Sequence, residues 1–267
     1  MNATALRPAA PETRPGALSL AARARMLRHR GEPLLVADWD RALIIHYEVP
    51  AEALKPFVPF PLDLHEGKAY VSLLAFTMRG MRPHRGGRLA AWLFRPIATH
   101  GFLNVRTYVR VGNETGIYFL TEHMGNRLSL RLGRPTYGLP YRFAKLDYRH
   151  DWTTGEIAGR VTDPESGAVY SYRALVDDNL AAYKPTPVGS LTEWLMERYT
   201  AFTAAGNRRR LFRVWHAPWP ESPAAIKVAD DSLLREHWPW FAHARLVGAN
   251  FSPGFREVWM GRPHRLP

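Results

Sequence analysis

Five lysines, Lys55, Lys68, Lys145, Lys184 and Lys227, are the side-chain amines of this 267-residue chain. An amine that forms an imine must be desolvated, so that it is neutral near pH 7. Lys55 follows an expected helix, Lys68 a turn, Lys184 precedes Pro185, and Lys227 sits in a polar segment. Lys145 is the penultimate residue of the stretch GRPTYGLPYRFAKL (Gly133–Leu146), where a Gly-Leu-Pro turn runs into a strand; it reads as an exposed strand lysine. Cysteine is absent, which excludes disulfides, thiol nucleophiles and thiolate metal centres. Of eleven histidines, none lies in a His-Glu-x-x-His or His-x-x-Glu-His pattern. Glu122-His123 and Glu236-His237 are isolated pairs, so no metal is expected. No Gly-x-Ser-x-Gly elbow, Walker A loop or Gly-x-Gly-x-x-Gly loop occurs, so no cofactor is expected either.

What remains is a set of polar residues inside apolar strand patterns: His46 in IIHYEV, Asn104 and Arg106 in FLNVRTYV, Glu122 in FLTEHM, and Tyr141 and Arg142 after the Gly-Leu-Pro turn. Alternation puts Ile44, His46 and Glu48 on one strand face and Ile45, Tyr47 and Val49 on the other. A histidine facing inward is either a satisfied core residue or an acid–base group. Asn104 and Arg106 share a face. The Arg106 fork suits a carboxylate, supplied either by Glu122 across the hairpin or by a ligand. A hairpin centred near Asn113–Glu114 would set Arg106 opposite residues 121–122. Tyr141 and Arg142 are adjacent, so with Tyr141 inside, Arg142 points outward or to a rim unless the backbone bulges after Pro140. HAPWPE (His216–Glu221) and HWPWF (His237–Phe241) either line an aromatic pocket or seal a barrel end by packing.

The elements that must position these groups are mostly strands. LLVADWDRALIIHYEV, AYVSLLAFTMRGM and the hairpin FLNVRTYVRVGNETGIYFLTEHM around Gly112–Asn113–Glu114 are rich in β-branched and aromatic residues. Strands are also expected in YRFAKLDYRHDWTTGEIAGRVTD, AVYSYRALVDD, RLFRVWHAPW and ARLVGANFSPGFREVWMG. Helices are expected over VPAEALKPFVP, over NRLSLRLGRPTYG up to Gly133, and over SLTEWLMERYTAFTA, where Ser190 and Glu193 form a capping box. Residues 82–100 read as a Pro/Gly/Arg-rich loop. Residues 1–32 read as a flexible or short-helical basic segment, and residues 33–267 as one domain. Strands dominate and no βαβ rhythm appears, so the fold class is α+β: an antiparallel barrel or cone with peripheral helices. The net charge is +12. The basic residues are scattered and no nucleic-acid module is present, so nucleic acid is not an expected partner. No apolar run is long enough to span a bilayer, and no signal-peptide core is seen. A cytoplasmic protein without a membrane partner, in a homo-oligomer if not alone, is the expectation.

HYEVPAEALKPFVPFPLDLHEGKAYVSLLAFTMRGMRP, FLNVRTYV, GIYFLTE, YGLPYRFAKL, LTEWLMERYTAFT and HAPWP, in this order, resemble the bacterial YqjF-like family and, more distantly, the acetoacetate decarboxylase-like superfamily. The resemblance implies a β-barrel or cone with the site inside. In the decarboxylases a Tyr-Pro-Lys-Lys motif supplies the Schiff-base lysine and the cation that lowers its pKa. Those positions correspond here to Tyr141 and Arg142, and the decarboxylase glutamate to Asn104. A phenol forms no imine. The implied function is therefore a protein that binds a small apolar, aromatic or organic-acid ligand in a decarboxylase-like cavity without imine chemistry. The alternative is a non-imine enzyme using Tyr141, Arg142, Arg106, Glu122 and His46; a nucleic-acid-associated protein is a weaker one.

Overall fold

The computed structural model describes residues 16–266; the extended segment expected in RPAAPETRPG lies outside them but for Gly16. The chain begins with α1 (Ala17–Leu27) and then alternates long strands with short helices: β1 (Leu35–Val49), α2 (Ala51–Leu54), β2 (Ala69–Pro83), α3 (Gly87–Phe94), β3 (His100–Val111), β4 (Glu114–Met124) and α4 (Arg127–Tyr137). Short strands follow: β5 (Tyr141–Phe143), β6 (Lys145–Arg149), β7 (Glu156–Thr162), β8 (Val169–Leu175) and β9 (Lys184–Pro185). The last third holds α5 (Leu191–Met196), β10 (Thr200–Ala205), β11 (Arg208–Trp215), β12 (Pro220–Pro223), β13 (Ala225–Asp230), α6 (Ser232–His237), β14 (Arg245–Met260) and β15 (His264–Arg265).

The long strands form a ring in the order β11-β10-β4-β3-β2-β1-β14, and β14 returns to β11 through Val214–Met260 and Trp215–Trp259. Its pairings are antiparallel except where β10 runs parallel to β4 at Ala201–Ile117 and Phe202–Tyr118. This strand-dominated α+β fold with a nearly closed antiparallel ring is the class expected from the sequence. A second sheet, β13-β8-β7-β6, covers the outside of the ring.

Alternation along the middle of β1 explains its apolar run Ala42–Ile45. Leu43, Ile45, Tyr47 and Val49 face the outer sheet, in a core with Val71, Leu73, Tyr170, Tyr172 and Phe241. Ile44 faces the lumen, in a second core with Leu74, Phe76, Phe102, Phe119 and Trp219. A segment buried on both faces has no polar side to display.

Three local expectations need correction. The helix expected over SLTEWLMERYTAFTA is only the six residues of α5. Ser190 caps it through the Glu193 amide. The chain leaves the helix at Glu197, and Thr200–Ala205, with two threonines and Phe202, pairs in the ring instead, as β-branched and aromatic residues favour. The expected loop over residues 82–100 contains α3. The helix expected to stop at Gly133 runs to Tyr137 and ends on Gly138, whose φ of 70° suits the left-handed cap.

The parallel seam of the ring depends on Gly116: a Cβ there would lie 2.3 Å from the Thr200 carbonyl oxygen and 2.8 Å from the Phe202 ring. Gly116→Ala should lower stability by about 1–3 kcal/mol or more, read as a reduced Tm. An unchanged Tm would show that β4 and β10 do not close the ring at this point.

Candidate functional site

Two lateral rows of side chains line the ring on one face. The first follows the strand registers Asn250–Ile44–Leu74–Asn104–Glu122–Tyr141, and the second follows His46–Ser72–Arg106. Arg106 and Glu122 do not pair. The turn is Gly112–Asn113, with Val111 opposite Glu114, so Arg106 faces Phe119 rather than residues 121–122. A register shift beyond Arg106 then sets Glu122 opposite Asn104.

Tyr141 is placed by the turn before it. Gly138 ends α4, buried Leu139 turns inward, and the Pro140 carbonyl accepts the Glu122 amide at 3.1 Å and the Thr121 hydroxyl at 3.2 Å. Arg134 of α4 grips the Tyr141 carbonyl at 2.6 Å. The Tyr141 ring lies where a Cβ on Gly133 would come within 2.6 Å of it, so Gly133 makes room for the phenol.

Asn104, Arg106, Glu122 and Tyr141 line one lumen cavity of about 110 Å³, whose walls are otherwise largely apolar, with Phe76, Phe102, Ile117 and Phe119 among them. An outer chamber of about 320 Å³ shares Leu35, Met78, Met81, Phe102, Tyr137 and Tyr141 with it and continues between α3 and α4 past Phe94, Ile97 and Leu132. The inner chamber alone approaches the ~150 Å³ that holds a benzene ring. Arg142 is not part of either chamber; as strand parity requires, it points outward into an exposed groove with Arg127 and Arg134. His46 is buried beside the chamber, not on its wall.

Five buried polar atoms on the lining residues have no hydrogen-bond partner: Trp39 Nε1, Asn104 Oδ1, Arg106 Nε, Glu122 Oε2 and Arg198 Nη2. Arg106 is 3% exposed and makes a single long contact, 3.5 Å, from Nη2 to the Leu195 carbonyl. No carboxylate among the described residues forms an ion pair with it. The neighbouring Arg198, by contrast, holds Asp63 at 2.9 Å and stacks on Trp194. Burial raises the Glu122 carboxyl to about 8, so it is mainly protonated at neutral pH and offers an O–H.

The histidines are fixed as neutral bases. His216 lines the cavity; its Nδ1–H donates to the Ala217 carbonyl at 2.7 Å, which leaves Nε2 with the lone pair. Burial, and to a smaller degree Arg106, lowers it to about 4. For His46 the tautomer follows from a chain. Tyr108 donates to the Leu195 carbonyl, Ser72 must then donate to Tyr108, and His46 Nδ1 must donate to Ser72, at 2.9, 2.6 and 2.7 Å. Its Nε2 is therefore a bare lone pair; burial, then Arg106, lowers the ring to about 3.

Arg198 was not among the residues singled out from the sequence, and His216 entered only as part of HAPWPE, read as either pocket lining or packing. Arg198 lay hidden in the segment read as helix. HAPWPE divides its work: His216 reaches the cavity while Trp219 is fully buried packing. All five lysines are exposed, Lys145 on the outer sheet, and none lines either chamber. Among the described residues, no group of three or more His, Asp or Glu is placed to hold a metal ion.

Residues 36–247 match the DUF2071 family, described as an uncharacterized conserved protein. The uncharacterized protein YqjF of Bacillus subtilis is 27% identical over 204 residues, covering 74% of this chain and 79% of that protein. Among solved structures, the acetoacetate decarboxylase of Legionella pneumophila superposes with a TM-score of 0.61 at 12% identity, covering 88% of this chain and 87% of that one. An acetoacetate decarboxylase-like enzyme from Sphingomonas wittichii gives 0.60 at 14%, covering 88% and 94%. The enduracididine biosynthesis enzyme MppR complexed with pyruvate gives 0.59 at 12%, covering 88% and 91%. At these identities the likeness is one of fold.

Glu122 gives the site a testable pH signature. Its folded pKa lies above the ordinary 4.5, so between those values the folded state holds more protons than the unfolded one. Stability contributed by the neutral carboxyl is full below about 4.5 and lost as pH rises through about 8. Glu122→Gln should remove that alkaline loss, on the order of 5 kcal/mol at most. Denaturant titrations from pH 5 to 9 read it directly; parallel pH profiles for the two proteins would mean that Glu122 ionises normally.

Proposed function

The chain belongs to the DUF2071 family, and from that premise we propose that it binds a small organic acid with an apolar or aromatic body, without forming an imine. The carrying observation is Arg106, a buried guanidinium with no carboxylate partner among the described residues, aimed into an apolar chamber. Removing one member of a buried ion pair costs about 3–5 kcal/mol, and an anionic ligand supplies the missing member. Its carboxylate sits on the Arg106 fork, and protonated Glu122 donates to a carbonyl, hydroxyl or second carboxylate oxygen. Phe76, Phe102, Ile117 and Phe119 enclose the body. The outer chamber accommodates a longer tail. A structural neighbour complexed with pyruvate supports a small carboxylate in a site of this fold. The exposure of all five lysines supports binding without a covalent amine.

A second reading has its own observation, the pairing of an acid with a fixed base. Neutral Glu122 and the lone-pair Nε2 of His216 both belong to the chamber that holds Arg106. With a 2-keto acid bound, His216 would take a proton from the carbon next to the carbonyl while Glu122 gives one to the carbonyl oxygen, producing the enol. Reversal returns both protons. In this reading the protein is an enzyme of the proton-transfer class, and Tyr141 orients the carbonyl by hydrogen bonding.

The test is Arg106→Leu, with ligand binding followed by calorimetry over aliphatic, aromatic and 2-keto acids. One lost charge-assisted hydrogen bond is worth about 1.5–3 kcal/mol, or roughly 10- to 150-fold in affinity. Acid binding should fall by that much while Tm holds or rises, because no internal partner is stranded. A large drop in Tm would make Arg106 structural and remove the proposal's basis. Borohydride added with a bound keto acid should leave the protein mass unchanged; a reduced adduct on any lysine would overturn the non-covalent reading. Exchange of keto-acid α-protons in D₂O, lost in Glu122→Gln, separates the enzyme from the binder.

A further inference from the structure

We propose that the rim of the outer chamber, built from α3 and the exposed face of α4, docks on an anionic lipid surface. Leu89, Trp92 and Leu93 stand at i, i+3 and i+4 on α3 and form one face, exposed at 70, 58 and 62%. Phe94 and Ile97, on the other side of the segment, line the chamber. Leu128 and Leu132 of α4 are half exposed beside them, and the two segments are tied by Asn126 Nδ2 donating to the Pro96 carbonyl at 2.8 Å. Isolated surface leucines need no explanation, but a Trp–Leu–Leu face at the mouth of an apolar chamber is a contact surface.

Charge decides the occupant. From Gly67 to Asn113, and again from His123 to Leu146, the chain contains no Asp or Glu. Arg85, Arg88 and Arg95 flank the α3 face, exposed and without an ion pair among the described residues, whereas Arg82 beneath them reaches Glu257 at 3.7 Å. Exposed arginines around an apolar helix face match the headgroup and acyl layers of an anionic bilayer, with the tryptophan at the boundary. A second copy meeting this face about a two-fold axis would oppose arginines with arginines, which costs energy. The expectation of no membrane partner rested on the lack of a spanning segment, and no helix here is long and apolar enough to cross one. Peripheral docking needs none. The surface stands independently of the ligand reading; joined to it, docking places the chamber's apolar entrance against acyl chains.

Co-sedimentation of the full chain with vesicles of phosphatidylcholine alone, and of phosphatidylcholine mixed with phosphatidylglycerol, tests the proposal. Binding should occur on the mixed vesicles, weaken with added NaCl, and fall at least about tenfold in Leu89→Ser/Leu93→Ser, since two apolar side chains no longer leave water. Arg85→Gln/Arg88→Gln should weaken it as well. Both variants should keep the parental Tm and the parental calorimetric affinity for organic acids, because these residues face solvent and lie away from Arg106. Absence of binding to the mixed vesicles overturns the proposal. So does self-association in light scattering that the double serine variant abolishes, or binding to a DNA oligonucleotide that the double glutamine variant abolishes while vesicle binding is unaffected.

Discussion

A guanidinium inside a β-ring with no carboxylate against it among the described residues is the constraint around which the rest of this protein is arranged. Charge is costly to bury, and folded proteins answer the cost by pairing it. Here the neighbouring Arg198 is paired, through Asp63. Arg106 receives only a distant carbonyl. The carboxyl that alternation and hairpin geometry brought nearest in the sequence, Glu122, lies two positions away and is driven neutral by its own burial. Arginine and glutamate have thus been separated within one chamber. One keeps its charge and the other keeps its proton, which gives the lumen an anion receptor and a hydrogen donor together.

The histidines complete the electrostatic balance. His46 and His216 are both held neutral by burial and by the positive charge of Arg106. Their folded pKa values lie below the ordinary 6.5, so stability associated with the neutral rings is present above that value and is lost as pH falls toward 3–4. Glu122 works in the opposite sense on the alkaline side. The lumen is best tolerated between the two limbs, near neutrality, where it contains a single formal positive charge apart from the Arg198–Asp63 pair.

Much of this was legible in the sequence because burial on two faces leaves a strong mark. The apolar run Ala42–Ile45 of β1, the existence of the β3–β4 hairpin and the opposed directions of Tyr141 and Arg142 all follow from local pattern and strand parity. The part that could not be read depends on pairing between distant segments. Thr200–Ala205 becomes a strand because β4 offers it an edge; its own sequence follows a good capping box and continues the helical pattern. Arg198 was lost with it. The Arg106 register turned on whether the hairpin bends at Gly112–Asn113 or one residue later, a choice that moves the opposing residue by two. α3 escaped notice because eight helical residues are set among prolines, glycines and arginines that look like loop.

Helix α4 has an unusual mechanical position. Its outer side presents Leu128 and Leu132 to solvent, its Gly133 receives the Tyr141 ring, and its Arg134 clamps the Tyr141 backbone. Tyr141 in turn forms part of the partition between the two chambers. The helix and the phenol are thus coupled like a latch and its keeper, by Gly133 against the ring and Arg134 on the backbone. On its other side the same tyrosine is held to β4, through its pairing with Glu122 and through the Pro140 carbonyl, so one phenol joins a surface helix to the ring at the throat of the lumen.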